Sequence, residues 1–480
     1  MAAREHAVWR IEANGIEPIP AGERSASLRD VFWIWFGANI AILGVVLGAV
    51  AMSYGLSLWQ GVLATLLGAF SFALVGVLGV SGMRLGVPTL TLARATFGIY
   101  GNLLPTAVAW LNLIGWEVIV LVTATYALAG IATAAFGVAP AAPLLVAAFA
   151  IVLAVAFLAA LLGYAAIARL QAVFSHVFGL LTLVVFALLV RHADWGRLLA
   201  IRPAPLVTGF LPAMSVVVAG TGLSWVTAAA DYTRYLPQTT RPRGVIGAVT
   251  WGALLPVFAL MLLGVLLSAT MPALDTAANP IAMIGAALPA WMAVPYLLTA
   301  VGGLVTEVVL AVYSSGLSLL AAGIRIPRYR TILVDAGLSI VGGLYFLFAA
   351  PDFQEPFVSF LTLLAAVLAP WAGVVWVDSA RRLRMGYSLR DLYNGRRSTY
   401  GTVRWRSLGA FAGGCVTALL LTSSPLYDGP LAKGVFQGSS LGFLVGMGVS
   451  IVLAAALREP GEVHARPGTA KPGTGRRREL

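Results

Sequence analysis

A short segment near the middle of the chain, SWVTAAADYTRYLP (residues 224–237), ends a run of small apolar residues with a dense set of polar side chains. The set contains the carboxylate of Asp231, the guanidinium of Arg234 and the phenols of Tyr232 and Tyr235. Such groups form charge-assisted hydrogen bonds that can tie a helix end to neighbouring loops. We expect Asp231 and Arg234 to act as a gate, although the same residues also suit an ordinary helix end at a membrane surface.

Two apolar segments contain short glycine-bearing sequences that weaken a regular helix. One is AGTG (residues 219–222), just before the polar cluster, and the other is FGAN (residues 36–39) in the first apolar run. Interrupted helices at corresponding positions of two halves are expected in transporters built from inverted repeats, whose binding site forms where the helices unwind. The alternative is close packing of small residues between neighbouring helices.

Hydroxyl and carboxyl groups also occur inside apolar runs. Ser314 and Ser315 are adjacent oxygen donors that suit a small hard cation such as Na⁺, or that simply bond back to their own helix. Carboxylates at such depth are costly and indicate function by default. Glu117 could be a protonatable coupling group, a substrate acceptor or the partner of a polar neighbour, and Glu307 is a second candidate. Asp335 is expected near the inner membrane surface.

Several aromatic residues lie far from the membrane boundaries where tryptophan usually gathers. They are Trp33, Trp35, Phe36, Trp116 and Trp225. A flat heterocycle could stack between such rings while small polar groups fix its edges, although each ring alone is more often a packing residue.

Composition places all these residues in a membrane. Of the 480 residues, 60% are hydrophobic and only 10% are charged, and the mean hydropathy is +0.91. So few charges cannot cover a soluble fold, for which about 25% is typical. Apolar runs long enough to cross a bilayer predict twelve helices, at residues 31–53, 58–82, 103–135, 143–163, 172–191, 209–230, 246–270, 293–322, 331–350, 356–378, 405–424 and 437–457.

The basic residues orient these spans. All but four of the 31 Lys and Arg residues fall on one side, the exceptions being Arg191, Arg197, Arg202 and Lys433. This asymmetry predicts a multi-pass protein of the inner (plasma) membrane with both termini in the cytoplasm. It also explains the net charge of +12 without nucleic-acid binding.

Other functional classes lack their signatures. The sequence has no dinucleotide or phosphate-binding motif, no Cys/His metal spacing, and a single cysteine, Cys415. We therefore expect neither an enzyme nor a bound cofactor other than a coupling ion.

Four segments, FGANIAILGVVLGA, LARATFGIYGNLLP, LNLIGWE and SWVTAAADYTRYLP, resemble the purine–cytosine permease branch of the nucleobase:cation symporter family. The resemblance covers residues 25 to 455 approximately. It implies an all-α, LeuT-type membrane fold with two inverted five-helix repeats and two extra C-terminal helices. The expected divisions are a cytoplasmic tail (1–30), a transport core (31–400), two additional helices (401–457) and a disordered basic tail (458–480). Such proteins import nucleobases or related heterocycles with Na⁺ or H⁺.

The resemblance also assigns roles to residues. The ring that stacks on the base falls on Trp116, and Asn39 or Glu117 reads its edge. The remaining substrate positions are Phe36, Gly37, Ala38, Gly222, Ser224 and Trp225. The coupling-ion site takes the carbonyls of Phe32, Trp35 and Ala311 and the hydroxyls of Ser314 and Ser315. Retention of both serines favours Na⁺ over H⁺.

The chain also departs from its relatives. Some carry an aromatic residue at the position of Gly222, where Trp225 would serve instead, and an amide on span eight where this chain has Gly316 and Leu320. These departures leave the substrate open. The alternatives are an amino-acid or other small-solute carrier of the same fold, a membrane sensor that binds without transport, and a membrane-embedded enzyme. The oligomeric state is also open.

Overall fold

The computed structural model describes residue 12 and residues 14–277, 279–350, 354–433 and 440–457. The predicted basic tail, residues 458–480, lies outside this set. The α-helices, numbered in chain order from α1 to α18, are Leu28–Ala38, Leu43–Met52, Leu58–Phe70, Phe72–Leu85, Thr89–Phe97, Leu103–Phe136, Ala142–Leu162, Tyr164–Leu189, Trp195–Ala200, Leu211–Val218, Ala229–Thr233, Pro242–Leu267, Pro280–Ala286, Ala293–Ala321, Arg328–Phe348, Gln354–Met385, Trp405–Leu420 and Gly442–Ala456. Two short strands, β1 (Ser423–Ser424) and β2 (Tyr427–Asp428), form an antiparallel hairpin.

Each segment predicted to span the membrane contains a helix, but not every helix is long. Within the described residues, nine helical stretches are long and apolar enough to cross a membrane, and ten if the bent pair α1 and α2 counts as one span. The helices α17 and α18 are shorter, with 16 and 15 residues. The prediction of twelve spans is therefore not established by helix length.

The first span is broken, as the sequence predicts. Helix α1 begins at Leu28 behind a capping box in which Ser27 and Asp30 satisfy each other's backbone N–H groups. The axes of α1 and α2 differ by 63°. The break lies between Ala38 and Leu43, slightly later than the predicted glycine step, and the Asn39 side-chain amide donates to the Trp35 carbonyl oxygen (2.8 Å).

The sixth span is also broken at its predicted position. Residues Ala219–Leu223 form a π-helical turn in which Thr221 has non-helical angles (φ −124°, ψ −123°). Backbone groups released inside a membrane must find other partners, and the neighbouring junction of α3 and α4 supplies them. The Thr221 hydroxyl lies 2.8 Å from the Gly68 carbonyl oxygen, and the Gly222 N–H donates to the Ser71 hydroxyl (2.9 Å).

Span five begins earlier than predicted. Its helix α8 starts at Tyr164 rather than near residue 172, because the polar residues Arg169 and Gln171 do not end the helix. Gln171 is buried, and its side-chain amide donates to the Thr306 carbonyl oxygen (2.8 Å), so tertiary packing satisfies a side chain that looks like a boundary in the sequence.

Apart from α16 to α18, which pack against one another, the main helices form two groups. The first, here called the bundle, is built around α12, which packs against α1 to α4, while α10 and α11 contact α3 and α4. The second, here called the scaffold, consists of α6, α7, α14 and α15. Helix α8 contacts both α1 and α14. The broken spans of the bundle therefore lie beside the continuous helices of the scaffold.

Small residues allow the bundle helices to approach closely. A Cβ atom on Gly264 of α12 would lie 2.0 Å from the Val45 carbonyl oxygen of α2, and one on Gly48 would lie 2.0 Å from the Met261 carbonyl oxygen. In a bilayer, helix association depends on such van der Waals packing. Gly247 lies on the same helix as Gly264, but a Cβ atom added there would meet no other atom within 4 Å.

We expect Gly264→Ala to destabilise the protein by about 1–3 kcal/mol, the usual cost of overpacking a tight interface. Gly247→Ala is the matched control and should stay within about 0.5 kcal/mol of wild type. Thermal unfolding of the purified proteins, followed by size-exclusion chromatography with fluorescence detection, measures both. Equal melting temperatures for the two variants would contradict the close packing of α2 on α12.

Candidate functional site

The predicted gate residues lie at the C-terminal end of span six but do not pair with each other. Asp231 is buried and accepts hydrogen bonds from the Thr89 backbone N–H (2.9 Å) and hydroxyl (3.0 Å). Arg234, also buried, donates to the Gly15 carbonyl oxygen (2.7 Å) and to the Tyr313 hydroxyl (3.0 Å). The two residues therefore tie span six to different partners: α5 on one side, and the N-terminal segment and α14 on the other.

The N-terminal segment adds a residue that the sequence analysis missed. The carboxylate of Glu12 lies 3.9 Å from the Arg234 guanidinium and 3.5 Å from that of Arg328. It also accepts from the Tyr164 backbone N–H (2.8 Å) and from the Tyr235 hydroxyl. Glu12 thus joins spans five, six and nine at the inner face. Nothing in the local sequence of the tail distinguishes it from the other acidic residues there.

An aromatic cluster lies above this inner network. The indole of Trp35 is fully buried and meets the rings of Phe72, Trp225 and Tyr232 edge-on, at centroid distances of 5.6–5.7 Å. Tyr232 in turn donates its hydroxyl to the Leu310 carbonyl oxygen of α14 (2.7 Å). These rings connect the broken spans one and six to the scaffold, and Trp225 lies where the sequence predicted substrate contact.

Trp116, the predicted stacking residue, lies on α6 facing α16. Its ring is buried, packs edge-on near Phe360 (6.2 Å between centroids), and its indole nitrogen has no hydrogen-bond partner. One turn earlier, Asn112 donates its side-chain amide to the Ser224 carbonyl oxygen (2.9 Å), while its own carbonyl oxygen is unpaired. Asn112 therefore brings α6 and the span-six break together. As a lone amide in a long apolar run, it was not singled out as a site residue.

Gly222 shows why an aromatic residue cannot stand there in this arrangement. A Cβ atom on it would lie 2.5 Å from the Ser71 carbonyl carbon and from the Phe72 nitrogen. Ser224 is buried nearby and bonds the Ala219 carbonyl oxygen across the π-turn. Trp225 is the aromatic residue that follows, and its role in place of an aromatic residue at Gly222 stays a prediction.

The predicted substrate stretch of span one has other neighbours. The Gly37 carbonyl oxygen lies 2.8 Å from the Thr306 hydroxyl, and a Cβ on Gly37 would collide with the Gln171 side chain. Phe36 approaches Gly179 of α8, and Ala38 is buried. These residues face spans five and eight. The structure does not bring Phe36 or Gly37 into a contact with Trp116, and their substrate role stays a prediction.

The predicted ion ligands are likewise distributed over several contacts. The Ser314 hydroxyl is paired with that of Tyr232 (2.9 Å), and the Trp35 carbonyl accepts from Asn39. The Phe32 carbonyl oxygen faces Gly252 of α12. Ala311 is buried in α14, and Ser315 faces α6 and α15. Ser314 and the Trp35 carbonyl thus have other partners, and the predicted ligand set stays a prediction.

Glu117 points toward α15, away from the ring of Trp116. It accepts a hydrogen bond from the Ser339 hydroxyl (3.2 Å), and Asp335 lies close enough to interact with it electrostatically. Asp335 is fully buried and accepts from the Trp110 indole (3.1 Å). Asp335 is therefore enclosed under α6, and its expected place near the inner membrane surface stays a prediction.

Comparison with known proteins agrees with this architecture. Residues 18–446 match the family of permeases for cytosine/purines, uracil, thiamine and allantoin. The protein YxlA of Bacillus subtilis (strain 168), assigned as a purine–cytosine permease, is 27% identical over 461 residues, covering 94% of this chain and 96% of that protein.

Solved structures of the transporter Mhp1, a member of the nucleobase-cation-symport-1 family, share the fold. The closed conformation, with bromovinylhydantoin bound, is 21% identical with a TM-score of 0.73 and covers 93% of this chain and 95% of its own. The inward-facing conformation is 19% identical with a TM-score of 0.66 and covers 94% of this chain and 96% of its own. With its apolar helices and broken spans, the chain belongs to the cytosine/purine permease family: it is a LeuT-type, multi-pass membrane transporter and not an enzyme.

Proposed function

We propose that this protein imports a nucleobase or related heterocycle by cation symport, working by alternating access in the plasma membrane. The observation that carries the proposal is the pair of breaks, between Ala38 and Leu43 and at Ala219–Leu223, together with the Asn112 bond that joins the helix of Trp116 to the second break. Backbone groups at such breaks, unlike those of a continuous helix, can change partners when a substrate binds.

The proposed topology has twelve spans, both termini in the cytoplasm, and two inverted repeats of five spans each followed by two additional helices. Two features support it. The breaks fall in the first span of each repeat, and all but four of the Lys and Arg residues fall on the proposed inner side. That distribution is what orients polytopic proteins.

In the proposed site, a flat ring stacks on Trp116 and its edge is read by polar groups of spans three and six. Asn112 suits this role, because its unpaired carbonyl oxygen is buried one turn from Trp116 and its amide already contacts the span-six break. A donor N–H on a heterocycle would satisfy that oxygen. Leaving a buried acceptor unpaired costs about 1–3 kcal/mol, so the match contributes to selectivity.

The inner network is the proposed inward gate. Release to the cytoplasm requires span six to separate from its inner partners, and Asp231 and Arg234 hold it through Thr89, Gly15 and Tyr313. Glu12 reinforces this closure, since it contacts two guanidinium groups at once. We propose Na⁺ as the coupling ion in preference to H⁺.

Uptake into proteoliposomes tests the substrate class. With an inward Na⁺ gradient, we expect labelled cytosine uptake to be inhibited by at least one of hypoxanthine, hydroxymethylpyrimidine and uracil, and not by leucine. Counterflow against an unlabelled internal pool should also occur, because it requires translocation. Inhibition by leucine alone would favour an amino-acid carrier, and saturable binding without counterflow would favour a sensor.

Replacing Trp116 tests the stacking surface. Base–aromatic stacking contributes about 1–3 kcal/mol, so Trp116→Ala should raise the apparent substrate Kd at least about fivefold, while Trp116→Phe should retain most of the affinity. Trp59→Ala is the control, because that ring is 72% exposed. Wild-type affinity in Trp116→Ala would place the substrate elsewhere.

Replacing the gate residues tests the inner network. We expect Asp231→Asn and Arg234→Gln to change uptake rates strongly while leaving outside substrate affinity much less affected, since neither side chain contacts the proposed substrate site. Arg241→Gln, in the exposed loop that follows, should behave like wild type. Wild-type uptake rates in both gate variants would refute the gating role.

A further inference from the structure

Three polar side chains from three scaffold helices meet inside the protein, apart from the proposed substrate site. They are Glu117 of α6, Ser315 of α14 and Asp335 of α15, and each is fully buried, with 0% of its surface exposed. Asp335 lies one turn before Ser339, whose hydroxyl donates to Glu117, and the Ser315 hydroxyl lies beside both carboxyl groups. Two acidic groups are thus enclosed together in the membrane-spanning part of the protein.

Each of the three residues keeps an oxygen atom without a partner. Glu117 and Asp335 each receive one hydrogen bond, from Ser339 (3.2 Å) and from the Trp110 indole (3.1 Å). The other carboxyl oxygens, Oε1 of Glu117 and Oδ2 of Asp335, are buried and unpaired, and so is the Ser315 hydroxyl oxygen. Buried polar atoms of native proteins nearly always have partners, so three orphans at one place indicate a missing ligand.

No positive side chain balances this pair. In the part of the chain that the structure describes, neither carboxyl group forms an ion pair with Lys, Arg or His. Arg328, at the start of the same helix as Asp335, is engaged by Glu12 and by the Ala160 carbonyl oxygen. The adjoining helix α7 contains no titratable residue at all.

The chemistry of the donors identifies the class of ligand. Oxygen atoms of carboxylates and hydroxyls are the ligands that hard cations prefer, and intramembrane carboxylates mark ion and proton pathways. A divalent ion such as Mg²⁺ sheds its water reluctantly, which disfavours it in an enclosed site. Ser315, one of the two serines predicted from the sequence to bind Na⁺, is present here. Its neighbours are the two carboxyl groups and not the predicted span-one carbonyls.

We propose that Glu117, Ser315 and Asp335 form a Na⁺ site within the scaffold, with Ser339 and Trp110 holding the two carboxylates in place. Ser314, which the sequence grouped with Ser315, faces Tyr232 instead and lies outside the site. The assignment of this ion to transport rests on the proposed function, whereas binding itself does not.

Equilibrium binding of radioactive Na⁺ to the purified full-length protein, without substrate, tests the site. Wild type should bind Na⁺ saturably, and Glu117→Gln, Asp335→Asn and Ser315→Ala should each weaken binding at least about tenfold. Ser315→Thr, which keeps the hydroxyl, should retain binding. Glu307→Gln, which removes a different buried carboxyl, is the control expected to bind like wild type. Ser314→Ala separates this site from the ion site predicted from the sequence, and here it should leave Na⁺ binding intact. Each variant is first checked for a monodisperse elution profile. If Glu117→Gln or Asp335→Asn misfolds, the comparison of Ser315→Ala with Ser315→Thr decides.

Other outcomes overturn the proposal. If Ser315→Ala bound Na⁺ normally and Ser314→Ala did not, the ion would bind beside Ser314, on the side of α14 that faces Tyr232. Saturable binding of Ca²⁺ but not Na⁺, or no Na⁺ binding by wild type, would exclude a Na⁺ site. This experiment measures binding and not transport. A protein that binds Na⁺ normally but fails to take up substrate would therefore contradict the proposed function and not the Na⁺ site.

Discussion

A backbone group inside a bilayer has no water to bond, and this constraint explains how the broken spans are built. At the span-six break, Thr221 and Gly222 bond to Gly68 and Ser71 of a neighbouring span that is itself interrupted there. At the span-one break, the Asn39 amide takes the place of the missing helical donor to Trp35. Breaks satisfied by side chains and neighbours, rather than by a fixed ladder, leave the backbone able to exchange partners.

The same broken spans are held at the C-terminal end of span six by a network of a different kind. Arg234 bonds an N-terminal carbonyl and a phenol of α14, and Glu12 faces two guanidinium groups. Each partner comes from a separate part of the chain, so the network exists only while those parts are together. The aromatic contacts of Trp35 above it are non-directional by comparison, which suits rings that move past one another.

Buried charge is distributed unevenly between the two helix groups. In the bundle, Asp231 receives two hydrogen bonds from Thr89. In the scaffold, Glu117 and Asp335 each keep one buried carboxyl oxygen that has no hydrogen-bond partner among the described residues. Both carboxyl groups lie on helices that are continuous at those positions, whereas Asp231 follows the span-six break.

The sequence by itself determined the helical segments, both breaks and the inner cluster, because hydropathy, glycine steps and charge are local properties. Trp116 was one of several aromatic candidates, and its role as the stacking ring came only from family resemblance. Tertiary structure decided the partners: Glu12 and Asn112 gained contacts far away in the chain, span five began at Tyr164, and Asp335 was enclosed by other helices. Ser314 and Ser315 are neighbours in sequence, but successive helix residues point about 100° apart. They therefore meet different helices, and only the packed fold fixes which helix each one meets.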